Sequence, residues 1–164
     1  MLDAFSLRSR QIVFAARFEA GERGAKIIDI DDLLVGLVLE DQGMLEKYLS
    51  SLLGEPGHLA NQDARRNSFF SPEIANNFLA QMGGILPRAH SIDLSAEMPL
   101  SAALEHTFNS AKDIQTRFQH SEIEPLHILA ALLTEESSQG VKLLQSSGIT
   151  QEKVLLKLGG ANEN

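Results

Sequence analysis

Apolar residues recur along this chain at helical spacing, and no segment holds the two-residue alternation of a half-buried strand. Phe5, Ser9, Ile12, Ala16 and Ala20 step by four, three, four and four, which puts them on one face of a helix over 6–22. Ser6 is placed to cap its start, and Gly21 and Gly24 bracket its end. The small residues at 9, 16 and 20 predict that another helix approaches closely there. The second helix is expected over 29–41, with Asp29, Asp31 and Asp32 in a first turn whose free N–H groups and dipole favour negative charge. A third is expected over 44–53, from Leu45, Tyr48, Leu49, Leu52 and Leu53, closed by Gly54. After a polar stretch, Ser71 and Pro72 read as the cap and first residue of a short helix to Met82, stopped by Gly83-Gly84. Residues 87–98 lack a period and read as a linker.

Downstream, Leu100, Leu104, Phe108, Ala111 and Ile114 mark a long helix over 101–118. Glu124-Pro125 opens another, running to about Glu136, and Ser138-Gln139-Gly140 is a break. A short helix over 141–146 is closed by Gly148, and Thr150 caps a last one through Val154, Leu155 and Leu158. The tail, 159–164, is expected to be disordered.

The pattern occurs twice. Residues 28–38 answer residues 123–133 without a gap, a displacement of 95 positions. Ser6 answers Ser101, Ala16 answers Ala111, and Glu40 answers Glu135 at the same displacement. Such self-similarity means one supersecondary unit made twice, the copies burying their apolar faces together. The expected fold is all-α with eight or nine helices. Two pseudo-twofold-related copies of a four-helix repeat pack into one domain, with an extra short helix in the linker. Repeat one spans about 5–54, the spacer 55–98, repeat two 99–158.

At 164 residues such a domain can bury about 70% of its unfolded surface. A formal charge of −8 disfavours nucleic acid, whose binders need Lys and Arg to displace counterions, and disfavours an anionic membrane surface. The absence of Cys removes disulfides, thiolate catalysis and Cys-based zinc sites. The first residues lack a signal-peptide pattern, and the apolar run Leu33–Leu39 is far short of the roughly 20 residues that span a bilayer, so a cytoplasmic setting is expected.

Candidate chemistry is sparse. The triplet Asp29, Asp31, Asp32 reads first as helix capping, second as a site for a cationic partner. No two of the five His residues share one helix at i, i+3 or i+4, and His127, in an apolar run, reads as a hydrogen-bonded core residue. The paired acids Glu40/Asp41 and Glu135/Glu136 close matched helices and read first as solvated ends, second as exposed for a partner. Phe69-Phe70 would either staple the following helix or anchor a partner. No His-Glu-x-x-His, Gly-x-Ser-x-Gly or Gly-x-x-x-x-Gly-Lys-[Ser/Thr] occurs, so no cofactor, no metal and no catalytic residues are expected.

The order of a long helix with Ala on its inner face, an acidic or Pro-containing helix start, an apolar run, a Gly-containing break and a closing Gly, all repeated, resembles the N-terminal domain of the Clp AAA+ unfoldases. The stretch Glu124-Pro125-Leu126-His127-Ile128-Leu129 is similar to the family's helix start with its His, and Gly148-Ile149 to its Gly–aliphatic pair. The first copy has Asp32 where that pattern has His. The family's Thr-Glu pair, which in some relatives helps to recognise phosphorylated arginine, is replaced by Ile30-Asp31 and by Pro125-Leu126. The resemblance implies a non-catalytic protein-binding module, with a Clp ATPase, Clp protease subunits, an adaptor or a substrate polypeptide as partner. A bracing subunit of a Clp assembly and a small metal-dependent hydrolase are the alternatives. The expected docking place is the groove between the copies near Asp29, Asp31, Asp32 and Glu124, with Phe69 and Phe70 as further contacts.

Overall fold

A computed structural model describes residues 3–45, 68–85 and 98–161. Among these lie seven helices: α1 (Leu7–Glu22), α2 (Ile30–Asp41), α3 (Pro72–Ile85), α4 (Ala102–Arg117), α5 (Pro125–Leu132), α6 (Gln139–Ser146) and α7 (Gln151–Ala161). The helix expected over 44–53 and the linker over 87–98 fall almost wholly outside the described residues.

The duplication is written into the seam between the halves. Two isolated parallel bridges join Phe5 to Ile123 and Ile28 to Leu100. The displacement of 95 turns Phe5 into Leu100 and Ile28 into Ile123, so each bridge is the image of the other. Their hydrogen bonds match as well. Ser6 N–H donates to the Ile123 carbonyl at 3.1 Å and Ile123 N–H to Ala4 at 2.8 Å; Ser101 N–H donates to Ile28 at 2.8 Å and Ile28 N–H to Pro99 at 2.9 Å. Backbone groups buried at a helix–helix junction need partners, and exchanging two short extended pieces satisfies four groups on each side. Ser6 caps α1 through Ser9 N–H and Ser101 caps α4 through Leu104 N–H, again at matched positions.

The two central helices, α2 and α5, are apolar nearly all round and sit in the core, with eleven residues from Ile30 to Asp41 buried in α2. A helix with that pattern has no solvent face to keep. Helix α1 lies against α2 and α4 against α5, while α3 backs α2 and α7 backs α5. The five residues placed on one face of α1, Phe5, Ser9, Ile12, Ala16 and Ala20, are all buried. The close approach predicted for that face is found: a Cβ on Gly36 of α2 would stand 2.8 Å from the Ile12 carbonyl oxygen, a distance no side chain tolerates.

Four boundaries differ from expectation. Helix α3 runs through Gly83 and Gly84 to Ile85, because glycine in a helix interior costs only about 1 kcal/mol and the backbone ladder continues. Helix α5 ends at Leu132 rather than near Glu136, where Thr134 folds its hydroxyl back on the Ala131 carbonyl at 2.8 Å. Gln139-Gly140 is no break: Ser138 caps α6 and Gly140 sits in its first turn, where a Cβ would strike Leu34 of α2 at 2.8 Å. Helix α7 carries Gly159, Gly160 and Ala161 within its last turn, where a disordered tail was expected.

Candidate protein-docking site

Each acid at the starts of the central helices has an internal partner. Asp29 caps α2 and accepts the Ile30 N–H at 2.8 Å and the Ser101 hydroxyl at 2.7 Å. Asp31 accepts from the Ser138 hydroxyl at 2.5 Å and the Gly140 N–H at 3.1 Å, tying α2 to the first turn of α6. Asp32 is 0% exposed, accepts the Asp29 N–H at 3.0 Å and forms an ion pair with Arg23. Burial pushes its carboxyl above the usual range, and the Arg23 hydrogen bond pulls the other way. Glu124, half-buried at the start of α5, bonds to the Ser6 side chain, the counterpart of the Asp29–Ser101 contact. Its carboxyl is raised by burial and lowered by Ser6 and by nearby Arg8.

Asp41 was read as a solvated helix end; instead it is 7% exposed. It accepts the Phe69 N–H at 2.7 Å, the Phe70 N–H at 3.1 Å and the Gln42 amide at 2.9 Å. Glu40 is likewise buried and takes both prongs of the Arg8 guanidinium, at 2.7 and 2.8 Å. Rather than facing solvent, Asp41 therefore organises the segment before α3, and Glu40 ties α2 to Arg8 of α1. Phe70 stands 2% exposed in the core, and Phe69 packs edge-on against it with ring centroids 5.3 Å apart. Ser71 accepts the Ile74 N–H at 3.2 Å, so Phe70 occupies the position just before a helix cap.

Three of the six residues singled out in the sequence meet in one place. Phe69, Phe70 and Glu124 line a cleft of about 220 Å³, together with Arg8, His120, Leu126 and Lys157 among others. Asp31 and Asp32 are drawn into the packing behind α2, and Asp29 lies at the symmetry-related seam beside Ser101.

A second concavity gave no sequence signal as a site. It is a groove of about 320 Å³ over the pseudo-twofold seam, lined by Val13, Phe14, Met98, Leu100 and Phe108, with Arg10 and Arg17 on its rim. Val13 and Phe108 are equivalent positions of the two repeats, so the groove straddles the axis. Arg10 and Arg17 are seven residues apart, two turns along the same face of α1. Phe14 is 46% exposed at this edge, stacked edge-to-face on Phe18 at 4.9 Å. Phe14 was not singled out along the chain, because what it borders needs α4 beside α1.

Residues 99–163 match the family model for the Clp repeat (R) N-terminal domain. The N-terminal domain of the chaperone ClpD from Arabidopsis thaliana is 18% identical, with a TM-score of 0.63 over 96% of each chain. The fold is that of a Clp N-terminal domain. A protein from a malarial protein secretion system superposes with a TM-score of 0.70 at 18% identity, over 98% of this chain and 95% of that one. The Hsp104 N-terminal domain from Candida albicans gives 0.58 at 17%, over 95% and 89%. In sequence, a probable ATP-dependent Clp protease ATP-binding subunit from Chlamydia pneumoniae is 21% identical over 154 residues, and the chain spans 16% of its length.

Within this Clp N-terminal fold, the Asp-for-His exchange between the copies is a structural substitution at one site. Position 32 and position 127 are equivalent, and each accepts the N–H three residues before it. His127 was expected in the core and is 0% exposed; its partner, His120, was not foreseen, because it lies seven residues away in a loop. Among the described residues no three His, Asp or Glu side chains gather to hold a metal ion. None of the described helices is long and apolar enough to cross a membrane.

Proposed function

We propose that this chain is a non-catalytic docking module of a Clp system, and that it takes polypeptide segments in the groove between α1 and α4. One observation carries the reading: an apolar floor with an exposed Phe14, rimmed by Arg10 and Arg17, on a chain of net charge −8. Aromatic and Arg side chains around an apolar centre are the composition of an interface core, and exposed apolar surface in a concave site favours a protein partner. Arg10 favours segments in which an apolar residue is flanked by Asp or Glu, since like charge would repel a basic one. The likeness to Clp N-terminal domains, which serve Clp chaperones as protein-interaction modules, supports the same class of function. The Clp ATPase, Clp protease subunit, adaptor or substrate remain the partner classes. The cleft at Phe69 and Glu124 is a second place where such a partner could make contact.

The test uses fluorescently labelled peptides with one central Leu or Phe flanked by either acidic or basic residues, and the purified chain. Acidic-flanked peptides are expected to bind, and Phe14→Ala to weaken them by about tenfold or more, as a hot-spot residue does. Arg10→Glu should reduce both affinity and its dependence on salt. Equal binding of acidic and basic peptides, or binding unchanged by Phe14→Ala, would sink the proposal. Both residues are solvent-accessible on α1, so circular dichroism of the variants is expected to match the parent.

A further inference from the structure

Between the end of α4 and the start of α5 two imidazoles share one hydrogen bond, His120 Nδ1 to His127 Nε2 at 2.7 Å. The other nitrogen of His127 is committed: Nδ1 accepts the Glu124 backbone N–H at 2.8 Å. A peptide N–H can only donate, so Nδ1 carries no proton and the neutral ring bears its proton on Nε2. That proton points at His120, whose Nδ1 must therefore be bare. The tautomers of both rings follow from one backbone hydrogen bond.

We infer that this pair is a proton-operated latch, closed only while both rings are neutral, whose opening frees the first turn of α5 and the wall of the cleft that it lines. A proton added to His120 Nδ1 would face the Nε2–H of His127, two donors at 2.7 Å. A proton added to His127 Nδ1 would displace the Glu124 N–H and undo the α5 cap. Either way one of the two hydrogen bonds is lost, and the arrangement has no protonated form.

The surroundings reinforce this. The His120 ring stacks on Phe118 with centroids 5.9 Å apart, and the Arg117 guanidinium stands 5.3 Å from the Phe118 ring centre. Arg8 of α1 and Lys157 of α7 share the cleft with His120, as do Asp41 of α2 and Glu124. Arg8 is held by Glu40, and Glu122 lies near Glu124. His127 itself is 0% exposed, and burial, then the neighbouring His120, lower its pKa from the ordinary 6.5 to about 4. His120 is half-buried and lines the cleft wall, so it is the ring of the pair that meets solvent. Repeat one has no such device, since Asp32 and Arg23 fill the equivalent place. The latch needs no partner in the groove between α1 and α4 and stands or falls separately from that docking site.

The experiment is a pH titration of the whole chain by NMR, reading both imidazole nitrogens and the exchange of the Glu124 amide. Expected are two Nε2–H tautomers at neutral pH. On acidification from neutral pH toward 4 the Glu124 amide should lose protection by about tenfold or more, after correction for its intrinsic rate. His127→Gln keeps an acceptor for that amide and removes the proton site, so its protection should become independent of pH. An Nδ1–H tautomer at His127, or amide protection in the parent that is flat across the same range, would overturn the latch. If His127→Gln does not fold, the parent titration decides alone, because both its readouts are local to the pair.

Discussion

At the third residue of its central helix, repeat one carries Asp32 paired with Arg23, and repeat two carries His127 paired with His120. Both side chains are 0% exposed, and both accept the backbone N–H that opens their helix, at 3.0 and 2.8 Å. The fold requires an acceptor at that point, because a helix start buried at the seam leaves N–H groups that water cannot reach. It does not require a particular charge. An ionised solution needs a buried counter-ion, while a neutral one needs only a second acceptor. The halves thus differ in electrostatics where they agree in geometry, and the difference decides how each responds to mutation and to acid.

The largest expected effect comes from stranding the charge. Arg23→Ala leaves the Asp32 carboxylate buried without its cation, and removing one partner of a buried pair typically costs about 3–5 kcal/mol. Arg23 Nε is itself buried with no hydrogen-bond partner among the described residues, so the pair is imperfectly satisfied. Replacing both members, Arg23→Met with Asp32→Asn, keeps an acceptor for the Asp29 N–H and removes both charges. It is expected to recover most of the loss, since well-packed neutral substitutes of buried ion pairs are often near-neutral. Urea denaturation of the single and double variants checks this. A double variant no more stable than Arg23→Ala would mean that the charge pairing, not the acceptor, is what repeat one needs.

Acid separates His127 from the buried carboxyls by sign. His127 titrates at about 4 in the folded chain against 6.5 ordinarily, so the unfolded chain binds more protons between those values. Stability from this residue is complete above pH 6.5 and is lost as pH falls toward 4, up to about 3 kcal/mol at 1.36 kcal/mol per unit. Asp32, Asp41 and Glu124 are raised by burial, so their contribution runs the other way: it is present at low pH and lost as pH rises through their folded values. Between 6.5 and about 4 the His127 contribution falls with pH while the raised carboxyls act in the opposite sense, so the difference between the parent and a His127 variant isolates the His term. Denaturation midpoints measured across this window should fall further with pH in the parent than in His127→Gln. A parent and a His127→Gln variant with the same pH profile from neutral pH toward 4 would remove the contrast.

How much of this could be read along the chain follows from the same contrast. The helix faces were legible because periodicity records burial, and the caps at Ser6, Asp29 and Ser71 because capping is local. The repeat was legible as a displacement, and the bridges between Phe5 and Ile123 and between Ile28 and Leu100 are its direct consequence. The partners were not. Arg23 reaches Asp32 across nine residues, His120 reaches His127 across a loop, and Asp41 grips amides 28 and 29 positions away. None of those pairings has a period. The reading of Glu40 and Asp41 as solvated failed for this reason: a charge near a helix end is ordinarily exposed, and only the chain returning at Phe69 buries it.

The smallest expected effect tests packing rather than charge. Gly36 in α2 and Ala131 in α5 are equivalent positions, and Gly36 faces α1. In repeat one a methyl at this position would meet the Ile12 carbonyl at 2.8 Å and the Ala16 nitrogen at 3.3 Å, backbone atoms that cannot rotate away. Repeat two accommodates that methyl, with Ala131 only 1% exposed. Gly36→Ala is therefore expected to destabilise by about 1–3 kcal/mol, as overpacking does, although alanine is the better helix former. Ala131→Gly should cost about 1 kcal/mol through backbone entropy and a lost buried methyl. Both substitutions are then unfavourable, in opposite chemical directions at one position of the repeat. Thermal denaturation of the pair settles it: if Gly36→Ala proves stabilising, the helices of repeat one are no closer than those of repeat two, and the copies differ in charge alone.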